Sequence, residues 1–327
     1  MKGVFRELVH SDQNKNETTM KNLFTLSMTI LFAVACFGQS ACGDEAIMAT
    51  KGNWKKAPDA LMRSGSVGQS SPARVGGPMD AIGNLFKTAD PEPKGMEANW
   101  YKSMAGDPVI PEGPMPYQVN SFYLAWYCNR NLHKLMLGDE TGTWAYAFVN
   151  GFSWFMSDQH DLLKVRVDGQ KLYLLPTVKG MWKEHTLYQS SSHGEKSSCI
   201  ILTHNNRLPW KPITQGQYLK AVRPSLDQRK QAVIDDYIRT HTATLQQAAV
   251  IENGYQDDFN GHFSSLENGG HLLVTVDTAY FDKRLPRYAA QFIVLYWRWD
   301  IKTPGLNFKR QFEDNFPVDA LNTMIDK

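Results

Sequence analysis

Lys164-Val165-Arg166-Val167, Asp168-Gly169 and Lys171-Leu172-Tyr173-Leu174-Leu175, with Gln170 between the last two, form the stretch that decides the fold class. Alternating β-formers flank Asp-Gly, and both residues of that pair accept positive φ. The stretch therefore predicts a two-residue hairpin, so the strands around it are antiparallel. Working outward, Ser121–Tyr127 (SFYLAWY) and Trp144–Asn150 (WAYAFVN) read as earlier strands, the second broken at Gly151. Cys199–Thr203 (CIILT) reads as a later one, ended by Asn205-Asn206.

The pattern then becomes helical. Thr214 with Gln217 three residues on is a capping-box start, and Pro224 ends that short helix near Arg223. Ser225 with Gln228 repeats the signature. Leu226, Val233, Ile234, Tyr237, Ile238, Leu245, Ala248 and Ala249 follow at helical spacing, with Asp227, Arg229, Asp235 and Arg239 largely off that face. Asn253-Gly254 supplies a stop. Two more strands, Leu272–Val276 and Phe292–Trp299, precede a short terminal helix over Pro317–Ile325. The expected class is α+β: an antiparallel sheet packed against one long helix at about 225–252.

The N-terminus carries an address. After Lys21 no charge occurs until Asp44, and Leu23–Phe37 (LFTLSMTILFAVACF) is almost wholly apolar. A basic start, a short apolar run and small residues make an export signal, and the run falls short of the roughly 20 residues a membrane-spanning helix needs. Met20 fits the initiator of such a signal better than Met1. The expected organisation is an export signal over 1–41, a tether over 42–99 and one domain over 100–327. The tether reading rests on Ser64–Pro78 (SGSVGQSSPARVGGP) and Lys87–Lys94 (KTADPEPK), which offer little to bury.

A formal net charge of +2, with Lys and Arg scattered, excludes the basic face that a nucleic-acid partner requires. Membrane attachment is expected only through the signal or a lipid anchor. Cys36 and Cys42 are the candidate lipidation sites, since Cys36 follows Ala33-Val34-Ala35 and Cys42 precedes the acidic pair Asp44-Glu45. Cys128 and Cys199 are then the cysteines left in an exported body, either one disulfide or two buried free thiols, and the disulfide is the expected state.

The chain has no G-x-S-x-G elbow, H-E-x-x-H, phosphate-binding glycine loop or C-x-x-C. The densest polar segment is the loop over 254–271. It holds Asp257, Asp258, His262, Glu267 and His271, carboxylates and imidazoles suited to acid–base or metal chemistry. Read as a twelve-residue calcium loop from Gln256, it places Asp258, Asn260 and Glu267 as oxygen ligands and Gly261 at the sharp turn. Gln256 at the first ligand position and the strand-like NGGHLLVTV that follows argue against calcium, and no other cofactor is expected. Trp144, Tyr146, Phe152, Trp154 and Phe155 form an aromatic set that serves either a sugar-stacking face or the core.

Leu208-Pro209-Trp210-Lys211-Pro212-Ile213-Thr214 with Gln217-Tyr218-Leu219, Glu140–Trp144 and Tyr280–Lys283 resemble segments of uncharacterised exported proteins of Bacteroidota, over roughly residues 95–325. The resemblance implies the address and carries no activity. The expected function is that of a non-catalytic cell-envelope or secreted binding module for a glycan, a peptide or an envelope partner. The alternative is an exported hydrolase using the carboxylate and histidine cluster of the 254–271 loop.

Overall fold

A computed structural model describes residues 42–61, 72–104, 108–152, 165–189, 196–252 and 259–327. In chain order the first elements are α1 (Asp44–Ala49), β1 (Trp54–Lys56), β2 (Ala60–Leu61), α2 (Pro72–Ala89), β3 (Met96–Met104), β4 (Tyr117–Asn129) and β5 (Lys134–Val149). The hairpin β6 (Arg166–Val167) and β7 (Gln170–Leu174) follows, then β8 (Thr177–Trp182), β9 (His185–Gln189), β10 (Ser197–Thr203) and β11 (Trp210–Pro212). Helices α3 (Gln215–Val222) and α4 (Gln228–Thr240), strands β12 (Val250–Ile251), β13 (His271–Val276) and β14 (Phe292–Arg298), and helices α5 (Thr303–Asn315) and α6 (Val318–Asn322) complete the described chain.

The class is α+β, built on two sheets. The larger runs β1-β3-β4-β5-β14-β10-β9-β8 with β2 also on β3; the smaller runs β11-β13-β7-β6 with β12 also on β13. All pairings are antiparallel except those of β1 and β2 with β3. Three apolar clusters define four layers. One face of the large sheet packs on α2, α5 and α6. Its other face meets the small sheet through Tyr146, Phe148, Val294 and Tyr296 against Trp210, Val274 and Val276. The far face of the small sheet is covered by α3 and α4.

The expected hairpin is present. Arg166 pairs with Lys171 and Val167 with Gln170, and Asp168 and Gly169 take φ of 49° and 77°. Thr214 and Gln217 close both hydrogen bonds of the capping box, and α3 ends at Arg223.

Three expectations are corrected. The single long helix at about 225–252 is not there: α4 stops at Thr240. Its N-cap is Asp227, which accepts from the Lys230 N–H, while Ser225 donates instead to the Val222 carbonyl. The carbonyls of Leu245 and Gln247 accept the N–H groups of Gly216 and Gln215, and Val250–Ile251 pairs with β13. A helix running to 252 would consume those carbonyls and leave the first-turn donors of α3 unmatched.

The second correction concerns residues 42–99, which are not a tether where they are described. Val75, Met79, Ile82, Phe86 and Ala89 recur along α2 at intervals of four and three and are buried against the large sheet. Burying Val, Met, Ile and Phe contributes roughly 2 kcal/mol each. That exceeds the roughly 6 kcal/mol that Gly76, Gly77, Gly83 and Pro78 together cost a helix interior. The stretch from 42 to 61 is also docked: Trp54 packs edge-on to Tyr123 at 5.8 Å, and its indole N–H donates to the Asp90 carbonyl at 2.7 Å.

The third is the disulfide. Cys128 bonds to Cys42, with Cα atoms 5.3 Å apart. Cys199 is a buried free thiol on β10 whose Sγ donates to the Tyr188 carbonyl, and burial pushes its pKa up. β5 and β14 stand between β4 and β10, so three inter-strand steps of about 4.8 Å each put the expected Cys128–Cys199 pair out of reach. Cys42, with its sulfur committed to Cys128, has no thiol to carry lipid; Cys36 lies outside the described residues.

Candidate functional site

The 254–271 loop does not gather its functional groups. Asp257 and Asp258 lie outside the described residues. Asn260 is exposed, and its side chain caps the His262 N–H. The His262 imidazole is 60% exposed and sits 3.7 Å from the equally exposed Glu252. Glu267 is held below the usual carboxylate range by its own backbone N–H and by Ser265, inside a solvent-facing turn. His271 is buried at the start of β13, where its Nδ1 pairs with the Leu175 carbonyl at 3.1 Å. Gly261 borders a shallow cavity of ≈ 350 Å³ with Asp236, Tyr237, Thr240 and His241, but none of the loop's described acids or histidines lines it. Among the described residues no three His, Cys, Asp or Glu side chains come together as metal ligands, and Asn260 and Glu267 are each engaged locally, with the His262 N–H and with Ser265.

The aromatic set separates along its strand. Phe152 is buried between the sheets, stacked on Phe292 and edge-on to Trp210 and Tyr173. Trp154 and Phe155 lie outside the described residues. On β5 the rings of Phe148, Tyr146 and Trp144 stack in a row, with centroids 5.5 and 5.4 Å apart and planes within 10° and 2°. Burial falls along that row, from 2% exposed at Phe148 and 8% at Tyr146 to a half-buried Trp144.

Strand register turns the Trp144 end into a site. Antiparallel pairing sets Asn99, Phe122, Trp144 and Arg298 side by side across β3, β4, β5 and β14. The next line is Tyr101, Asn120, Tyr146 and Tyr296. Directly opposed residues share a face, so all eight side chains lie on the face that also meets the small sheet. Phe122 contacts Trp144 at 5.4 Å and Tyr101 at 6.2 Å, and the Arg298 guanidinium lies 5.6 Å from the Trp144 ring. Glu97, two residues before Asn99 on the same face, bonds Lys55 at 3.2 Å and accepts the Asn53 N–H.

The amides set this face apart from ordinary core. Asn120 is 0% exposed, and both its Oδ1 and its Nδ2 are without a hydrogen-bond partner; the Asn99 Nδ2 is likewise unmatched. A buried donor or acceptor left unmade costs about 1–3 kcal/mol, a standing penalty unless something outside the chain fills it. Amide donors and acceptors between aromatic rings suit a ligand with apolar faces and hydroxyl edges.

The sequence reading reached Trp144 and Tyr146 but missed Asn99, Tyr101, Asn120 and Arg298. Asn99 and Tyr101 fall at the edge of the expected tether, and the aromatic run that marks the strand containing Asn120 begins only at Ser121. The available signal was an amide two residues before Phe122 inside a β-former run.

No family model matches the chain, nor does any curated protein or solved structure.

Proposed function

We propose that the chain is an exported, non-catalytic binding module whose ligand is a saccharide held on the Asn120–Trp144 face. The observation that carries this reading is the half-buried line of Asn99, Phe122, Trp144 and Arg298, two aromatic rings beside an unmatched Asn99 Nδ2, at the end of the row that solvent reaches. A sugar ring presents C–H faces that pack on aromatic rings and hydroxyls that both donate to and accept from an amide. Export is supported by the apolar run after Lys21 and by the Cys42–Cys128 bridge, a bond that persists in oxidising compartments. Among the described residues no helix is long and apolar enough to cross a membrane.

The test is Asn120→Leu beside Trp144→Ala, measured by calorimetry against a panel of soluble oligosaccharides. Leucine removes the unmatched amide at similar volume. The Asn120→Leu variant should melt higher, by about 1–3 kcal/mol of added stability, and Trp144→Ala should lose saccharide binding. A folded Trp144→Ala protein that binds sugars as the parent does would refute the site. For export, protein recovered from the native host should lack everything before Ala41 or Cys42 by intact mass. A dominant full-length cytoplasmic form would sink that part.

A further inference from the structure

A second, unrelated feature lies on the opposite side of the large sheet. The first half of α2, the starts of β4 and β14 and the chain after α6 enclose a groove of ≈ 360 Å³. Its walls are mostly apolar, with Ile82 from α2, Ile293 from β14 and Met324 after α6. A cavity of this size is within the range of small-molecule sites, and at roughly 30 Å³ per water-sized atom it takes on the order of a dozen non-hydrogen atoms.

Among the described residues, two polar groups at the groove have no protein partner of their own kind. Arg74, exposed in the first turn of α2, makes no ion pair among the described residues, and its guanidinium lies 5.6 Å from the Tyr288 ring. The helix end beneath it adds partial positive charge. Tyr117, 3% exposed, lines the groove, its hydroxyl makes no hydrogen bond among the described residues, and burial alone acts on its phenol. The site thus pairs an apolar trough with a cation at its mouth and a hydroxyl donor in its wall. Asp80, the acid nearest in sequence to the groove residues of α2, is already paired with Lys102 at 2.9 Å and does not compensate Arg74.

Gly77 and Pro78 are the second observation. Both line the groove from α2, and a Cβ built on Gly77 meets nothing within 4 Å. A long side chain at 77 would extend over the groove, and its Cβ would also press on the Pro78 Cδ that follows, so glycine is the residue that this helical position before a proline accepts.

We infer that this groove binds an amphipathic monocarboxylate, a medium-chain fatty acid or an aryl acid of similar length, with its carboxylate on Arg74 and its tail along Ile82, Ile293 and Met324. The two sources share one chemistry, a single anionic head on an apolar body of about a dozen atoms.

The experiment titrates the disulfide-bonded protein with decanoate, 4-butylbenzoate, decanol and decyltrimethylammonium by calorimetry. The proteins compared are the parent, Arg74→Ala, Gly77→Leu and Gly77→Phe, each checked for fold by circular dichroism and melting. Decanoate or 4-butylbenzoate should bind the parent, and which of them is tighter tells the linear from the aryl source. Arg74→Ala should weaken the carboxylates about tenfold or more and leave decanol nearly unchanged, because a charge-assisted contact is removed. Both Gly77 variants should lose binding while keeping the parent's circular dichroism spectrum and a cooperative melt. Three results would each overturn the inference: no carboxylate binding by the folded parent, equal binding of the cationic amphiphile, or full carboxylate binding by folded Gly77→Phe.

Discussion

Asp90 follows the last residue of α2 and is 2% exposed, with its Oδ2 unmatched. Burial, with no nearby cation to offset it, raises its pKa from 3.8 to about 7. The native protein therefore keeps this proton up to about pH 7, whereas the unfolded chain releases it near 3.8. Between those values the native state binds more protons, so stability falls as pH rises through the window. It is highest below about pH 4, and the loss is complete above about pH 8. A difference of about three pH units at 1.36 kcal/mol each makes the full loss about 4 kcal/mol, an upper figure if water reaches the carboxyl. Asp90→Asn holds a neutral side chain of the same shape at every pH. Urea unfolding of parent and variant at half-unit steps from pH 4 to 8.5 isolates the effect, because all other titrating groups cancel in the difference. The variant should be close to the parent at pH 4 and gain steadily, reaching several kcal/mol by pH 8, with an unchanged m-value. A stability difference that stays constant across the range would refute the assignment of a buried, proton-holding Asp90.

Two further predictions concern stability. Cys42→Ser, Cys128→Ser and the double variant should lose the same amount, about 4.5 kcal/mol on the chain-entropy estimate for a bridge across 86 residues, as read by denaturant unfolding; a normal Cys42→Ser beside a damaged Cys199→Ser would contradict the pairing. Gly77→Ala and Gly83→Ala lie on the same helix, and the second should cost more. The first puts a Cβ against the Pro78 Cδ, which should offset most of the roughly 1 kcal/mol of helix propensity that alanine brings. The second puts a Cβ 2.5 Å from the Trp100 ring, and overpacking of about 1–3 kcal/mol should cancel or outweigh that gain in thermal unfolding.

What the sequence determined by itself was local. Asp168-Gly169 could be read as a hairpin, and Thr214 with Gln217 as a helix start, because backbone conformation and a side chain three residues away suffice for each. The β-former runs around Phe122, Trp144, Cys199 and Phe292 were legible for the same reason, and with them the antiparallel α+β class. Only tertiary structure decided the rest. The stripe from Val75 to Ala89 is periodic on paper, yet Gly76-Gly77-Pro78 argue against a helix until a sheet face is there to bury it. The apolar spacing after Ser225 continues past Thr240, but the carbonyls of Leu245 and Gln247 are used by α3, a contact no local pattern encodes. Docking of the segment before α1 placed Cys42 next to Cys128, and strand order kept Cys128 from Cys199. The same order assembled the candidate site, since Asn99, Asn120, Trp144 and Arg298 come from four strands and become neighbours through register alone. The 254–271 loop looked functional because its polar residues are close in sequence. Backbone direction then sent His262 to solvent and His271 into the sheet, and proximity along the chain was lost in space.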